Sequence, residues 1–261
     1  PSPSMEDTLK VSDRIFVNKL IYGPELLPGI GKLPGYAEPA RSRIIIFESP
    51  TYISKGPVFD IVQRILYMLT LSLVDIDRDE SGQPRAHFLI KRAVGVENDR
   101  LRIVKGEVEL KPQGFPEWVA EEELNPLDDV SYETRRTIEP AEYEAIKAEV
   151  RIREYEDRGI PPLEVDQEKV GETGRIGYDL YERGRTGNMV MHQILPHDTR
   201  YRSEYSRYVL GWHIPGDWIF PMGDNRDNSN DARYFGPVRL RKVLGRASFI
   251  YWPLSRFGPV R

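Results

Sequence analysis

Gly223-Asp224-Asn225-Arg226-Asp227-Asn228-Ser229-Asn230-Asp231-Ala232-Arg233 is a run in which nearly every side chain can donate or accept a hydrogen bond. Asp and Asn side chains bond readily to nearby backbone and favour turns over helix or sheet. The run therefore reads as a loop tied together by its own polar groups. Asp217 to Met222 before it reads as a strand, and Val243 to Trp252 after it as a closing strand. Such a loop supplies the dense hydrogen bonding that a pair of reactive side chains needs around it.

Two reactive candidates lie far from the loop and from each other. The chain opens Pro1-Ser2-Pro3-Ser4-Met5, where Ser4 is a candidate nucleophile if a neighbouring base can take its proton. Lys91, at the end of the apolar run His87-Phe88-Leu89-Ile90, is the candidate base. A free lysine titrates near ~10.4, and burial can lower that by up to 3–5 units. In a strand, Lys91 shares a face with Leu89 and Ala93, while Ile90 and Arg92 point the other way. The plainer alternative is an edge lysine that guards an apolar strand against pairing. For the oxyanion, the Ser4 N–H and the Ser2 hydroxyl are candidate donors. Pro3 lacks an N–H but stiffens the segment by fixing φ.

Taken together and in order, these blocks resemble type I signal peptidase, a membrane-anchored Ser/Lys protease of the peptidase S26 type that removes secretory signal peptides. Pro1 to Val17 looks like the family's serine box, Phe88 to Leu101 its lysine box, and Pro215 to Val238 its Gly-Asp-Asn-Arg-Asp-Asn-Ser box. The resemblance implies that Ser229 orients the Lys91 amine and that Asp231 and Arg233 form a supporting ion pair. It implies that Met5, Leu9, Ile15 and Ile90, with Leu89 adjacent, line shallow pockets for small side chains, suited to Ala at −1 and −3. It also implies an N-terminal membrane anchor just before the serine motif, so the chain is read as a fragment with its anchor missing. Six positions at four places depart from the family pattern: Asp7 for Pro, Ser42-Arg43 for Gly-Asp, Glu97-Asn98 for Pro-Gly, and Ala232 for Ser.

Composition narrows the alternatives. The 261 residues suffice for one large domain or two modest ones. A net charge of −4 with mixed signs gives no nucleic-acid signature. With no cysteine there can be no disulfide, thiolate metal site or cysteine nucleophile. No His-x-x-x-His pair or glycine-rich phosphate loop occurs, so no metal or cofactor is expected. The four histidines lack a Gly-x-Ser-x-Gly elbow, and His87 lies ~13 Å from Lys91 along a strand. The longest apolar run, Ile61 to Val74, is too short to span a bilayer.

Along the chain, 9–22 reads as a strand, 23–40 as a long loop and 43–47 as a short strand. Residues 58–74 have helical apolar spacing, for a helix on the core or one lying in a membrane interface. Residues 88–96 and 100–104 read as strands joined by a turn at Glu97-Asn98-Asp99, where Asn tolerates positive φ. Lys105-Gly106-Glu107 reads as a hairpin turn. Between 106 and 208 the chain is charged, rich in Pro and Gly, and read as solvated scaffold, with 140–158 its one convincing helix; the core resumes at Tyr208 to His213. The fold expected is mostly β: a signal-peptidase-like folded sheet or barrel made of 1–105 and 209–261, with 106–208 inserted as a second, α+β domain. The function expected is a monomeric endopeptidase acting on preproteins at the outer face of the bacterial cytoplasmic membrane. A self-cleaving repressor-type Ser/Lys protease and a non-catalytic β-domain that binds secreted or membrane proteins are the alternatives.

Overall fold

The computed structural model describes residues 2–24, 32–53, 55–69, 76–78, 82, 87–124, 130–172 and 176–260. The chain begins with strands β1 (Arg14–Asn18) and β2 (Ile44–Glu48), then helix α1 (Pro57–Leu69). Four strands follow: β3 (Phe88–Gly95), β4 (Arg100–Val104), β5 (Glu107–Lys111) and β6 (Val119–Ala120). Next come helices α2 (Glu121–Leu124), α3 (Tyr143–Glu156), α4 (Glu164–Glu172), α5 (Leu180–Ile194) and α6 (Thr199–Leu210). The remainder is β7 (Trp212–His213), β8 (Trp218–Met222), α7 (Ala232–Phe235), β9 (Val238–Arg239), β10 (Val243–Trp252) and β11 (Gly258–Pro259).

The strands form two antiparallel sheets. One runs β1-β10-β2-β3-β8-β9, with β11 added to β10; the other runs β6-β5-β4-β7. Its own residues explain each turn. Asn98 takes φ +65° between β3 and β4, and Lys105 and Gly106 take +49° and +79° between β4 and β5, the two positive values that a tight hairpin requires. Ser42, standing where the family pattern has glycine, takes φ +67°. Its N–H donates to the Ala93 carbonyl and its own carbonyl accepts from Arg92, both at 2.7 Å. Those bonds hold a conformation that an L residue otherwise avoids.

Apolar residues divide among the faces. Val94, Phe220 and Met222 of the large sheet meet Leu101, Ile103, Val108 and Leu110 of the small one. Ile45, Phe47 and Ala93 pack with Ile219, Val238 and Val243 on one side of the large sheet. Met5 and Leu9 from the opening segment pack on Ile44, Ile46, Ala247 and Ile250. The opening segment is thereby pinned to the large sheet by burial of two whole side chains.

Several boundaries differ from expectation. The strand read over 9–22 is only β1, because buried Asp13 accepts from Lys10 N–H and from Arg256 and makes a turn before it. The helix read over 58–74 is α1; residues 70–74 lie outside the described residues, as do 25–31 of the loop read over 23–40. Tyr208 to Leu210 continue α6, which stops at Gly211, φ +78°, while Tyr208 and Trp212 pack on the core shared by the two sheets. Helix makes up about 36% of the described residues, beside the two antiparallel sheets of a β-rich fold. The stretch 106–208 holds α4, α5 and α6 besides α3, itself entered by a 3₁₀ turn at Pro140–Glu142. Their apolar faces are thin, α6 burying no residue fully, so the helical period is faint in the sequence. Cap signals were present: Asp179 accepts from Glu182 N–H and Asp198 from Arg200 N–H. The small sheet takes β4 and β7 from outside the expected 106–208 boundary and β5 and β6 from inside it.

Phe220 is fully buried between the sheets, its ring centroid 5.4 Å from that of Trp212. Phe220→Ala should cost about 3–5 kcal/mol, read as a lower urea midpoint. An unchanged midpoint would show that the two sheets are not held together by this core.

Candidate active site

Strand β3 carries Lys91 into the interior. Its cross-strand partner is Ile45 of β2, and the residue is 2% exposed. Ser4 sits in the 3₁₀ turn Pro3–Met5 and is buried as well. Packing of Met5 and Leu9 presses this turn onto the sheet, so that Lys91 Nζ donates to Ser4 Oγ. Ser2 Oγ lies 2.8 Å from Ser4 Oγ on the other side. The nucleophile candidate is thus flanked by an amine and a second hydroxyl.

Burial is the largest influence on Lys91, and it brings the amine down to about 8 from the ordinary value of 10.5. Asp231 pulls in the opposite direction, Arg233 adds to the lowering, and Asp224 opposes it. At pH 7 roughly a tenth of the amine is therefore neutral and able to accept the hydroxyl proton, against well under a thousandth for a free lysine.

The carboxylates near the amine are already committed. Asp224 accepts two bonds from Arg92, at 2.8 and 2.7 Å, and one from Thr8 Oγ1 at 2.5 Å. Asp231 accepts from Arg233 Nε at 2.9 Å and from the Gly223 N–H at 3.0 Å. Burial alone would raise the Asp231 carboxyl, but the charge of Arg233 and these bonds hold it below its usual range. Asn225 ties the loop to the nucleophile segment: its N–H donates to Ser4 O at 3.0 Å and its side-chain amide to Pro3 O at 3.1 Å.

Most of the residues singled out in the sequence come together. Ser2, Ser4, Lys91, Asp231 and Arg233 occupy one site, and Met5, Leu9, Ile15 and Ile90 share one apolar cluster beside it. Leu89 packs on the other cluster, with Ile45 and Phe47. Ser229 is buried beside Gly223, but its hydroxyl makes no hydrogen bond of ordinary geometry, so the expected bond to Lys91 is not formed. It lies close enough to Asp231 to help hold that carboxylate low. His87 is engaged elsewhere, its Nε2 2.9 Å from Asp77.

Sequence reasoning missed four contributors. Arg92 was seen only as the outward neighbour of Lys91, yet it is fully buried on Asp224. Glu121, Tyr132 and Arg136 come from the stretch read as solvated scaffold. Glu121 accepts from Arg226 at 2.6 Å and Arg136 donates to Asp227 at 3.2 Å. No local pattern marks Glu121 and Arg136, whose partners Arg226 and Asp227 are about ninety residues or more away, and Tyr132 meets the Arg92 guanidinium of a distant strand.

Gly223 is required by close approach. A Cβ there would lie 2.3 Å from Ser229 Oγ and 2.5 Å from the Ser4 carbonyl oxygen. Gly223→Ala should therefore lower stability by about 1–3 kcal/mol in a urea titration. A midpoint equal to the parent's would mean that the loop can retreat freely from the nucleophile segment.

The family profile for signal peptidase, peptidase S26, matches residues 1–252. The chain is 25% identical to signal peptidase I of Haemophilus influenzae over 98% of its length and 63% of that protein's. It is 27% identical to signal peptidase I of Pseudomonas aeruginosa over 97% of its length and 64% of that protein's. Against signal peptidase I of Aquifex aeolicus the identity is 26%, over 97% of this chain and 73% of the relative. With the profile covering nearly the whole chain and all three sequence blocks, the chain belongs to the signal peptidase, peptidase S26, family.

Proposed function

We propose that the chain is the catalytic part of a signal peptidase, a serine endopeptidase that cuts signal peptides from preproteins after small residues in an Ala-x-Ala pattern. The observation that carries this reading is the buried hydrogen bond between Lys91 Nζ and Ser4 Oγ. As Ser4 Oγ attacks the scissile carbonyl, neutral Lys91 takes the hydroxyl proton. The oxyanion that forms is held by the Ser4 N–H and the Ser2 hydroxyl. Lys91 then gives the proton to the leaving amine of the mature protein, and the C–N bond breaks to leave an acyl ester on Ser4. Lys91 next takes a proton from water as its oxygen attacks the ester, then returns that proton to Ser4 Oγ as the ester C–O bond breaks, which frees the signal peptide with its new C-terminal carboxyl and restores Ser4 and neutral Lys91. Ser229 is read as the residue that orients Lys91 once substrate has entered, its burial beside Gly223 and Asp231 being the feature that supports this.

Met5, Leu9, Ile15 and Ile90 are read as the walls of the small-residue pockets, with Leu89 supporting the strand from behind. We read 1–105 and 209–261 as a catalytic β core curved towards a barrel, and 106–208 as an inserted α+β region; α3 to α6 and the β5–β6 pair support the latter. We read this domain as a monomer acting on the outer face of the bacterial cytoplasmic membrane and carried by an N-terminal anchor, a reading that membership of the family supports. Among the described residues no helix is long and apolar enough to cross a membrane. Exposed Val58 and Val62 on α1 support an interfacial role for 58–74.

Ser4→Ala and Lys91→Met should each abolish cleavage of a preprotein, and a penem should add its mass to the parent chain but not to Ser4→Ala. Near-parental turnover by either variant refutes the dyad. In the parent, kcat/KM should rise about tenfold per pH unit up to a midpoint near 8 and then level off. A midpoint near 6.5 would point to a histidine instead. The same shift acts on stability. Between about 8 and 10.5 the unfolded chain binds more protons than the folded one, so stability attributable to Lys91 rises with pH across that window. At pH 7 the buried amine costs roughly 3 kcal/mol, and Lys91→Met should be at least as stable as the parent in urea.

A further inference from the structure

Residues 130–138 belong to none of the three blocks that carry the dyad, yet they run beside the polar loop as an added edge. The Arg135 N–H donates to the Asp224 carbonyl at 2.8 Å and the Arg226 N–H donates to the Arg135 carbonyl at 3.0 Å. Arg135 and Asn225 form a parallel bridge. Asp227 turns its carboxylate back onto the segment and accepts from the N–H groups of Thr137 and Ile138. Tyr132 sits in the middle of this contact. Its ring lies against the Arg92 guanidinium, 3.7 Å from carbon to centroid. Its hydroxyl donates to Glu121 at 2.5 Å, and Glu121 accepts from Arg226 at 2.6 Å.

Both arginines lead directly to the reactive pair. Arg92 follows Lys91 in β3 and grips Asp224, one of the two carboxylates that act on the amine. Arg226 donates to the Gly223 carbonyl at 3.0 Å, and Gly223 is packed against the Ser4 carbonyl. Asn225, bridged by Arg135, holds the Ser4 and Pro3 carbonyls. Each reactive group is thus one residue removed from the clamp, Lys91 through Arg92 and Ser4 through Asn225.

We propose that Tyr132, seated on Glu121, is a positioning residue: it clamps Arg92 and Arg226 from outside and so fixes Ser4 Oγ against Lys91 Nζ. The proposal rests on the Ser4/Lys91 reading. The Tyr132 side chain is bonded to Glu121 and stacked on Arg92 and is not a member of the apolar cluster of Met5, Leu9, Ile15 and Ile90, so its loss should act on kcat and not on KM. A π-face against a guanidinium is worth more when desolvated, and Phe at this position keeps it.

The test uses the full chain, with turnover of a fluorogenic Ala-x-Ala peptide and an NMR titration of Lys91 in lysine-labelled protein, assigned by its absence in Lys91→Met. Tyr132→Leu should lower kcat at least about tenfold with KM within about twofold, and the Lys91 midpoint should rise towards that of a free lysine as water reaches the site. Tyr132→Phe should stay within about threefold of the parent, and Glu121→Gln should fall between the two. Tyr132→Leu and Glu121→Gln that fold, titrate and turn over like the parent would overturn the proposal. If Tyr132→Leu does not fold, Glu121→Gln alone decides, because it keeps shape and removes only the charge. A parent that shows the low Lys91 midpoint but never cleaves would sink the protease reading; the Lys91 midpoints of the variants would still decide the clamp.

Discussion

A lysine can act as a base near neutral pH only if nothing nearby rewards it for staying charged, and this constraint shapes the whole site. Two carboxylates, Asp224 and Asp231, act on the Lys91 amine. Either one, left alone, would draw the lysine into an ordinary ion pair and keep its proton in place. Each is instead saturated by an arginine, Arg92 on Asp224 and Arg233 on Asp231. A guanidinium does not give up its proton in a protein, so the charge bookkeeping around the site is settled before the lysine is counted. Burial then weakens the hold of Lys91 on its proton, bringing the amine down to about 8.

Buried ion pairs of this kind are weak contributors to stability, because desolvation offsets most of their attraction. Their value here is geometric. Arg92 bonds to Asp224 through two nitrogens and to Ser42 through a third, which locks β3, the opening segment and the polar loop into one register. Thr8, four residues after the nucleophile, joins the same carboxylate. A side-chain network that is satisfied at every member specifies one arrangement among many apolar packings of similar energy.

How much of this the sequence disclosed depends on the range of the interaction. The polar loop was legible because its density of Asp, Asn and Arg is rare, and Ser4 and Lys91 were legible through the order of the three blocks. Asn98 was legible because only a few residue types accept positive φ. Tyr132, Glu121 and Arg136 were not: a charged or aromatic residue in a polar stretch looks the same whether its partner is water or a charged side chain from a distant part of the chain. Helices α4 and α6 were missed for a related reason, since α4 buries only Asp166 and α6 no residue; α5 buries Tyr181, Val190 and Met191, but these lie among glycines and charged side chains. Ser229 shows the limit of motif matching, which gave its place beside the site but not the partner of its hydroxyl.

The two-part character of the 106–208 stretch has a consequence for how this architecture can vary. Glu121 and residues 132–138 are stitched to the catalytic loop, whereas α3 to α6 beyond them pack mainly on one another and on the small sheet. Excision of the entire stretch would therefore strip the outer support from the loop, while a shorter linker in place of α4 to α6 would keep the seam's bonds to the loop so long as it also supplied what Tyr143 and Asp179 give Arg136. Lineages are then free to trade the helical outgrowth, in length or in kind, so long as the short seam on its inner side is spared.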